Sequence, residues 1–241
     1  MTKTAKHRPV RSYVRREGRI TDGQSRALEH LLPKYGIAPT PSLIEFDTIF
    51  ANSNSVILEI GFGNGELLAG QAEKYPAYNY LGIEVHRPGI GRLLQCLEKR
   101  DLNNVRIMSD DAMEILRHRI PENSLQEIWL FFPDPWPKKK HHKRRIFNTE
   151  FLDLAANTLK DGGLFRFATD WQDYANWTLE LIQSDKRFSV LNERNRFSAE
   201  FGNRPVTKFE RRGTRLGHGI NDMTFKRQQR QQFGQTNNDG V

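Results

Sequence analysis

The sequence predicts an α/β protein with a mostly parallel sheet of seven strands and helices on both faces of that sheet. From Ser55 onward, short apolar segments of strand length alternate with segments of helical periodicity. The first strand leads into a glycine-rich turn, and acidic residues follow the ends of several strands, as in sheets that bind a ligand at their carboxyl edge. Such regular alternation indicates parallel pairing, because each helix returns the chain to the same end of the sheet.

The predicted strands are short and are bounded by turn residues. Residues 55–60 end at a glycine, and residues 127–132 end where Pro133 cannot donate a further ladder hydrogen bond. Gly162 and Gly163 are predicted to stop a helix before the fifth strand begins. The complete set of predicted strands is 55–60, 79–84, 105–108, 127–132, 164–169, 188–191 and 222–226.

The predicted helices carry apolar residues at helical spacing. Within residues 88–100, Ile90, Leu93 and Leu94 recur at positions that share one face. The complete set of predicted helices is 66–74, 88–100, 112–119, 150–159 and 172–184.

Both ends of the chain differ from this alternating region. Residues 1–40 have few apolar positions and many arginines, so we predict a basic N-terminal extension that is partly disordered, with two helical turns at 25–32. Residues 228–241 form a glutamine-rich polar tail without periodicity. The predicted folded domain is therefore 41–227.

Composition limits the possible classes of protein. A chain of 241 residues suits one domain with extensions. No apolar segment approaches the roughly 20 residues of a membrane span, and the N-terminus has no signal-peptide core, so we expect a soluble cytoplasmic protein. Cys96 is the only cysteine, which excludes an internal disulfide and a thiolate-rich metal site.

Positive charge is concentrated in two segments of a chain whose net charge is +8. Residues 1–19 and residues 138–145 each carry a large excess of Lys and Arg, so the rest of the chain is net negative. Concentrated basicity is typical of surfaces that bind a polyanion such as nucleic acid. A solvated basic tail and loop is the alternative.

The glycine-rich turn after the first strand has glycines at 61, 63 and 65. Glycines allow a ligand to approach the backbone closely. The next helix begins directly after this turn and presents its electropositive N-terminus there. The spacing departs from G-x-G-x-x-G, because residue 66 is Glu, which would repel a pyrophosphate. This argues against a nicotinamide dehydrogenase and favours a nucleoside ligand without phosphates, with Gly61 and Gly63 as candidate contacts.

Three acids are candidate contacts to such a ligand. Glu84 ends the second strand, where a carboxylate can accept both hydroxyls of a ribose. Asp111 opens a helix, where it can accept from an adenine amino group or simply cap the helix. Glu59 lies inside an apolar strand and needs a cationic or donor-rich partner, which a sulfonium with an α-amino group would supply. Together these acids indicate S-adenosylmethionine rather than a dinucleotide.

Residues 128–145 combine an apolar strand, a proline-rich turn that carries Asp134, and a block of positive charge. A carboxylate at a strand end beside a phosphate-binding segment suggests an enzyme that acts on nucleic acid. The alternative for Asp134 is an ordinary turn residue. Trp136 and Trp171 are predicted either to stack on an extruded base or to be core aromatics.

Five motifs resemble the bacterial tRNA (guanine-N7)-methyltransferases of the TrmB type, and the resemblance spans about residues 40–227. The motifs are EIGFGNGE at 59–66, GIEVHRPGI at 82–90, FFPDPWPKKKHHKRR at 131–145, ATDW at 168–171 and TKFERRG at 207–213. The resemblance implies a Rossmann-like class I S-adenosyl-L-methionine-dependent methyltransferase. It implies methyl transfer to N7 of guanine 46 in the variable loop of tRNA, without a metal. Both a monomer and a homodimer remain open.

The resemblance also implies roles for individual residues. Asp134 is implied to be catalytic, and the implied cofactor contacts are Glu59, Glu84, Asp111 and Asp134. The implied substrate contacts are Lys138, Asp170, Thr207, Lys208, Phe209 and Glu210. The implied RNA contacts are Lys140, His141, His142, Lys143, Arg144 and Arg145. Asp170 could instead cap the helix that follows it.

Guanine N7 carries a lone pair and no proton at neutral pH, so the implied reaction needs no general base. The enzyme must position the reactants instead. Asp134 is predicted to stabilise the positive charge that develops on the purine, or to accept hydrogen bonds from the guanine edge. The competing hypotheses are a methyltransferase that acts on an exocyclic amine of RNA and a non-enzymatic RNA-binding module.

Overall fold

A computed structural model describes residues 12–13, 18–192 and 219–230. The strands are β1 (Val56–Ile60), β2 (Asn79–Ile83), β3 (Val105–Met108), β4 (Leu125–Phe131), β5 (Leu159–Thr169), β6 (Phe188–Asn192) and β7 (Asn221–Arg227). The helices are α1 (Asp22–His30), α2 (Leu32–Tyr35), α3 (Phe46–Phe50), α4 (Glu66–Lys74), α5 (Arg87–Lys99), α6 (Ala112–His118), α7 (Thr149–Thr158) and α8 (Gln172–Gln183), with a 3-10 helix at Lys139–Arg144.

The strands form one seven-stranded sheet in the order β3-β2-β1-β4-β5-β7-β6. β1 to β5 pair in parallel, whereas β7 is antiparallel to both β5 and β6. The prediction of a mostly parallel sheet is confirmed. Since the parallel strands end at one edge, the residues that follow β1, β2, β4 and β5 are brought to that edge.

Successive residues of the central strands bury their side chains on opposite faces of the sheet. Ile57 belongs to one hydrophobic cluster, to which α1, α2, α4 and α5 also contribute. Leu58 belongs to the other cluster, to which α3, α6, α7 and α8 contribute. Every residue of β1 is buried. A strand covered by helices on both sides is therefore apolar at both alternating positions.

Two helices of the N-terminal region pack on the domain. Thr21 caps α1 in a capping box, because its hydroxyl accepts the Gln24 N–H and the Gln24 side chain accepts the Thr21 N–H. A Cβ on Gly91 of α5 would lie 2.9 Å from the Gln24 Cβ, so α1 and α5 approach closely. Part of the segment predicted as an extension is therefore ordered against α5.

The sequence predicts that Gly162 and Gly163 stop the preceding helix, and this prediction is wrong. α7 ends at Thr158, and β5 begins at the next residue and continues through both glycines. Gly162 has a φ of 79°, and the pairing of β4 with β5 shifts register between Leu125 and Glu127. The glycines therefore accommodate an irregularity inside a strand, which is the other common use of glycine in such patterns.

A buried ion pair joins β4 and β5. Arg166 donates Nε to Glu127 Oε2 at 2.6 Å and Nη2 to Glu127 Oε1 at 3.1 Å, and the exposed fractions of the two side chains are only 1% and 2%. Trp129 adds a hydrogen bond from Nε1 to the same carboxylate at 2.7 Å. The paired geometry compensates part of the cost of removing both charges from water.

Within the described residues, no helix combines the length and apolar character needed to cross a membrane.

Candidate active site

The turn between β1 and α4 keeps its backbone in conformations that favour glycine. Gly61, Gly63 and Gly65 have φ angles of 73°, 59° and 74°, in the left-handed region where other residues are strained. A Cβ placed on Gly61 would meet no atom within 4 Å, so open space lies over this residue. The turn therefore presents bare backbone at Gly61, where the sequence predicts a cofactor contact.

Glu84 follows β2 and ties the end of this strand to the glycine turn. Its Oε2 accepts the N–H of Gly63 at 2.8 Å, and its Oε1 accepts the N–H groups of Val85 at 2.7 Å and His86 at 3.0 Å. A carboxylate can accept about four hydrogen bonds. Glu84 therefore retains the capacity to accept a ligand hydroxyl without losing its backbone contacts.

A cavity of about 190 Å³ lies where β1, β2 and β4 end. The polar side chains that line it come from Glu84, Asp110 and Asp134, and Gly61 contributes backbone. The N-terminal residues Ser12 and Tyr13 also line it. The structure thus brings together three of the residues predicted to bind the cofactor: Gly61, Glu84 and Asp134.

The three other predicted cofactor residues, Gly63, Glu59 and Asp111, lie outside the lining of this cavity. Glu59 is 4% exposed within β1, on the face of the sheet that also carries Trp129. Asp111 is the N-cap of α6, and its side chain accepts the N–H of Met113 at 3.0 Å. Asp111 therefore caps α6, which is one of the two roles considered for it. The adjacent Asp110 reaches the cavity instead, and its position just after β3 was the signal that sequence reasoning missed.

The loop that carries Asp134 is constrained on both sides. Pro133 and Pro135 fix their own φ angles, and Asp134, which precedes Pro135, is biased towards extended conformations. Phe132, which precedes Pro133, departs from this preference. Phe132 and Trp136 have φ angles of 50° and 45°, which cost non-glycine residues about 1–3 kcal/mol each. The Asp134 side chain is exposed and lines the cavity. The backbone of the loop therefore restricts the directions in which this carboxylate can point.

Trp136 contacts the basic segment. Its ring stacks on His141 with centroids 5.9 Å apart, the Arg144 Cζ lies 3.9 Å from its centroid, and its Nε1 donates to the Ser12 carbonyl at 3.2 Å. Trp171 is partly buried against the hydrophobic cluster that contains Leu58. In this structure Trp171 packs against the core, and a base that stacked on Trp136 would have to replace one of its present contacts.

The basic segment, residues 138–145, begins with Lys138 and continues through the 3-10 helix. Its four lysines are exposed: Lys138, Lys139, Lys140 and Lys143. The two histidines and Arg144 are partly buried. Desolvation, followed by the positive charges of Lys140 and Arg144, lowers the pKa of His141. In the described part of the chain, no group of three or more His, Cys, Asp or Glu side chains could hold a metal ion, so His141 and His142 belong to no such group.

Arg145 does not lie on this basic surface. Its side chain is 1% exposed. Nε donates to the Pro135 carbonyl at 2.9 Å, and Nη2 donates to the Asp173 carboxylate. The hydrogen bond from Arg145 lowers the pKa of Asp173. In this structure the guanidinium group of Arg145 is turned into the protein, and its predicted RNA contact stays a prediction.

The predicted substrate residues are divided among several places. Lys138 is exposed at the start of the basic segment. Asp170 directly follows β5 and is partly buried. The N-cap of α8 is Trp171, and no side chain makes a capping hydrogen bond there. Asp170 therefore does not cap α8 in this structure. The remaining four, Thr207, Lys208, Phe209 and Glu210, lie outside the described residues.

Solved structures share this architecture. The 16S rRNA methyltransferase KamB matches with a TM-score of 0.57 over 77% of this chain and 93% of its own, at 16% identity. A 16S rRNA (adenine(1408)-N(1))-methyltransferase from Catenulisporales acidiphilia, solved with its cosubstrate SAM, matches with a TM-score of 0.53 over 78% and 92%, at 14% identity. At these identities the likeness shows the fold alone. The fold is that of the Rossmann-like class I methyltransferases that depend on S-adenosyl-L-methionine.

Sequence comparison identifies the family within this class. A family model described as a putative methyltransferase matches residues 53–223. The tRNA (guanine-N(7)-)-methyltransferase of Halorhodospira halophila is 48% identical over 91% of this chain and 95% of its own length. The enzyme of the same name from Alkalilimnicola ehrlichii is 50% identical over 92% and 94%. The chain belongs to the tRNA (guanine-N7)-methyltransferase family, and its cofactor is S-adenosyl-L-methionine.

Proposed function

We propose that the protein methylates N7 of guanine 46 in the variable loop of tRNA and forms N7-methylguanosine in the cytoplasm. The observation that carries this proposal is the position of Asp134. It lines the same cavity as Gly61 and Glu84, and exposed lysines follow it from Lys138 onward. A carboxylate between a cavity at the strand ends and an exposed row of lysines suits a reaction on a nucleic-acid base.

The residues at the cavity fit the cofactor. S-adenosyl-L-methionine supplies an electrophilic methyl group on a positively charged sulfur. Glu84 has the capacity to accept a ribose hydroxyl, and the open backbone at Gly61 allows close approach. Asp110 or Asp111 would accept a hydrogen bond from the adenine amino group. Asp134 lines the cavity and would place negative charge near the cation, and the buried Glu59, outside the lining, is proposed as a further cofactor contact.

Asp134 acts on the acceptor by orientation and electrostatics. Guanine N7 already carries its lone pair, so Asp134 has no proton to remove. Its carboxylate would accept hydrogen bonds from N1–H and the exocyclic amine of guanine, or stabilise the positive charge that grows on the purine. Lys138, Asp170 and residues 207–210 are proposed to hold the nucleotide.

The exposed lysines of the basic segment would bind the tRNA backbone. Lys138, Lys140 and Lys143 can each meet a phosphate as a point charge, which provides affinity and register without reading sequence. His141, His142 and Arg144 are proposed to support the same surface. This arrangement places the polyanion beside the loop that carries Asp134.

The decisive experiment combines product identification with mapping. The full-length protein is incubated with methyl-labelled S-adenosyl-L-methionine and unmodified tRNA transcript, and the labelled nucleoside is identified after digestion. Label is expected in N7-methylguanosine. Reduction followed by aniline treatment should cleave the product tRNA at position 46, and a transcript with adenine at position 46 should remain unlabelled.

Three results would contradict the proposal. Label in an N2-methylated guanosine would indicate a methyltransferase that acts on an exocyclic amine. Cleavage at another position would reject guanine 46 as the target. Tight tRNA binding without any methyl transfer would indicate a non-enzymatic RNA-binding module.

A further inference from the structure

The last residue of the basic segment is buried, although it belongs to a run of phosphate-seeking side chains. Lys143 is exposed, whereas the Arg145 side chain is only 1% exposed. A guanidinium group inside the protein cannot meet a phosphate unless the segment rearranges. Arg145 therefore requires an explanation other than RNA binding.

The guanidinium of Arg145 joins two parts of the site. Nε donates to the Pro135 carbonyl at 2.9 Å, on the residue that directly follows Asp134. Nη2 donates to the carboxylate of Asp173 in the first turn of α8. The planar fork of arginine can reach two acceptors in fixed directions at once, which the single ammonium group of lysine cannot do.

Aromatic rings support the guanidinium in this position. Its Cζ lies 4.8 Å from the ring centroid of Tyr174 and 5.5 Å from that of Trp177, both on α8. Both distances fall within the roughly 6 Å range of a cation–π interaction. The side chain is therefore fixed against the start of α8, which follows β5 and Asp170.

The loop that Arg145 contacts is strained and needs external support. Phe132 and Trp136, on either side of the proline-flanked Asp134, both have positive φ. Such conformations persist only where surrounding structure determines them. The hydrogen bond to Pro135 is a contact from the rest of the protein to the backbone beside Asp134.

The three nitrogens of the Arg145 guanidinium differ in their contacts. Nη1 is buried and has no hydrogen-bond partner in the described part of the chain. A buried donor without an acceptor costs free energy. The two nitrogens that do have partners, Nε and Nη2, are the ones that join the Asp134 loop to α8.

We propose that Arg145 is a positioning residue that clamps the Asp134 loop to α8 and does not bind RNA. The inference rests on the proposed function, because it assigns Asp134 to methyl transfer. The clamp links the loops after β4 and β5, so it sets the position of Asp134 relative to Asp170. A loop displaced by about 1 Å can lower turnover by about 100-fold.

The test compares Arg145→Lys and Asp173→Asn with the wild-type protein. Arg145→Lys keeps the charge but loses the fork, and Asp173→Asn removes the charged acceptor at an exposed site without disturbing the core. Both variants should lower kcat by at least about 10-fold. The Kd for tRNA should stay within about threefold of the wild-type value. The slope of the logarithm of the tRNA association constant against the logarithm of the salt concentration should not change. The double variant should be no slower than the slower single variant, because both substitutions break one clamp.

Two comparison variants show what loss of a phosphate contact and a neutral Arg-to-Lys change would each look like. Lys143→Ala removes a proposed phosphate contact and should reduce the salt slope by about 0.9. Arg100→Lys makes the same substitution at an exposed ion pair with Glu73 and should change neither kcat nor the slope. Circular dichroism verifies that each variant is folded at the assay temperature.

The outcomes separate the clamp from the proposed function. A normal kcat for Arg145→Lys, with an impaired Asp134→Asn, would overturn the clamp alone. A reduced salt slope for Arg145→Lys would also overturn it, because a phosphate contact would then explain the residue. Absence of N7-methylguanosine with the wild-type protein would reject the proposed function, and the salt slope would still decide whether Arg145 binds RNA.

Discussion

The two neighbours of Asp134 along the chain restrict its backbone. The prolines at 133 and 135 limit the backbone on both sides, and the strand that precedes them is buried. The sequence predicts this much, because proline has known dihedral angles. It does not predict the positive φ of Phe132 and Trp136, since aromatic residues rarely adopt that conformation. The direction of the loop thus depends on tertiary contacts.

Replacement of Asp134 by Asn should separate catalysis from binding. The variant keeps the shape of the side chain and removes its charge, so turnover should fall by about 100-fold or more while the Kd for tRNA stays within a few-fold. Single-turnover methyl transfer and filter binding measure the two quantities. Glu122→Gln removes an equal charge at an exposed loop position and should have no effect. Near-normal turnover of Asp134→Asn would remove this residue from the catalytic role.

The Arg166–Glu127 ion pair gives a prediction about stability. Arg166→Met leaves the Glu127 carboxylate buried without its cation, so the free energy of unfolding should fall by about 3–5 kcal/mol. The double variant with Glu127→Gln should recover a large part of this loss. Urea unfolding followed by circular dichroism measures both. Arg100→Met, at an exposed pair, should cost about 1 kcal/mol or less; an equal loss there would mean that burial is not the cause.

At the scale of elements, the 3-10 helix sorts the basic segment into three faces. Three residues complete each turn, so side chains three apart share a direction. His141 and Arg144 both contact Trp136. His142 and Arg145 both face Asp173, whereas Lys140 and Lys143 are exposed. The sequence pattern shows only a run of positive charge. The sequence analysis did not predict the 3-10 helix, whose turn directs the Arg145 side chain into the protein.

The exposed face of this helix should account for part of the salt dependence of tRNA binding. Removal of both Lys140 and Lys143 by alanine substitution should reduce the slope of log K against log salt by up to about 1.8, or about 0.9 for each phosphate contact. Fluorescence anisotropy with labelled tRNA at several salt concentrations measures the slope. Alanine at the exposed Lys99 and Lys186 removes the same charge elsewhere. Equal slopes for both double variants would show that the helix is not a specific RNA surface.

At the scale of the whole molecule, the sequence predicts which strand ends meet but not which side chain reaches the cavity. Parallel strands bring their carboxyl ends together in any fold of this class, and Glu84 and Asp134 accordingly line one cavity. A shift of one residue decides between Asp110 and Asp111, because successive side chains after a strand point in different directions. Periodicity cannot resolve such a shift; in the structure Asp110 lines the cavity and Asp111 caps α6, and the predicted cofactor contact of Asp111 stays a prediction.

The N-terminal region contributes to the cavity from a distant part of the chain. Ser12 and Tyr13 line it together with Asp134, and the Ser12 carbonyl accepts the Trp136 Nε1–H at 3.2 Å. The cavity volume is about 190 Å³, which is below the roughly 300–1,000 Å³ of typical ligand pockets. We therefore expect the Tyr13 side chain, which lines the cavity, to affect how fast the cofactor enters and leaves.

This arrangement predicts a kinetic effect of Tyr13→Ala. Because the tyrosine obstructs entry and exit alike, its removal should raise both the association and the dissociation rate constants for S-adenosyl-L-methionine by about 10-fold, with a smaller change in affinity. Stopped-flow measurement of tryptophan fluorescence follows both rates, since Trp136 contacts the same segment. Tyr78→Ala removes a partly buried tyrosine that does not line the cavity and should change neither rate. A lower affinity caused by dissociation alone would instead mean that Tyr13 is an ordinary cofactor contact, since a cover must slow binding in both directions.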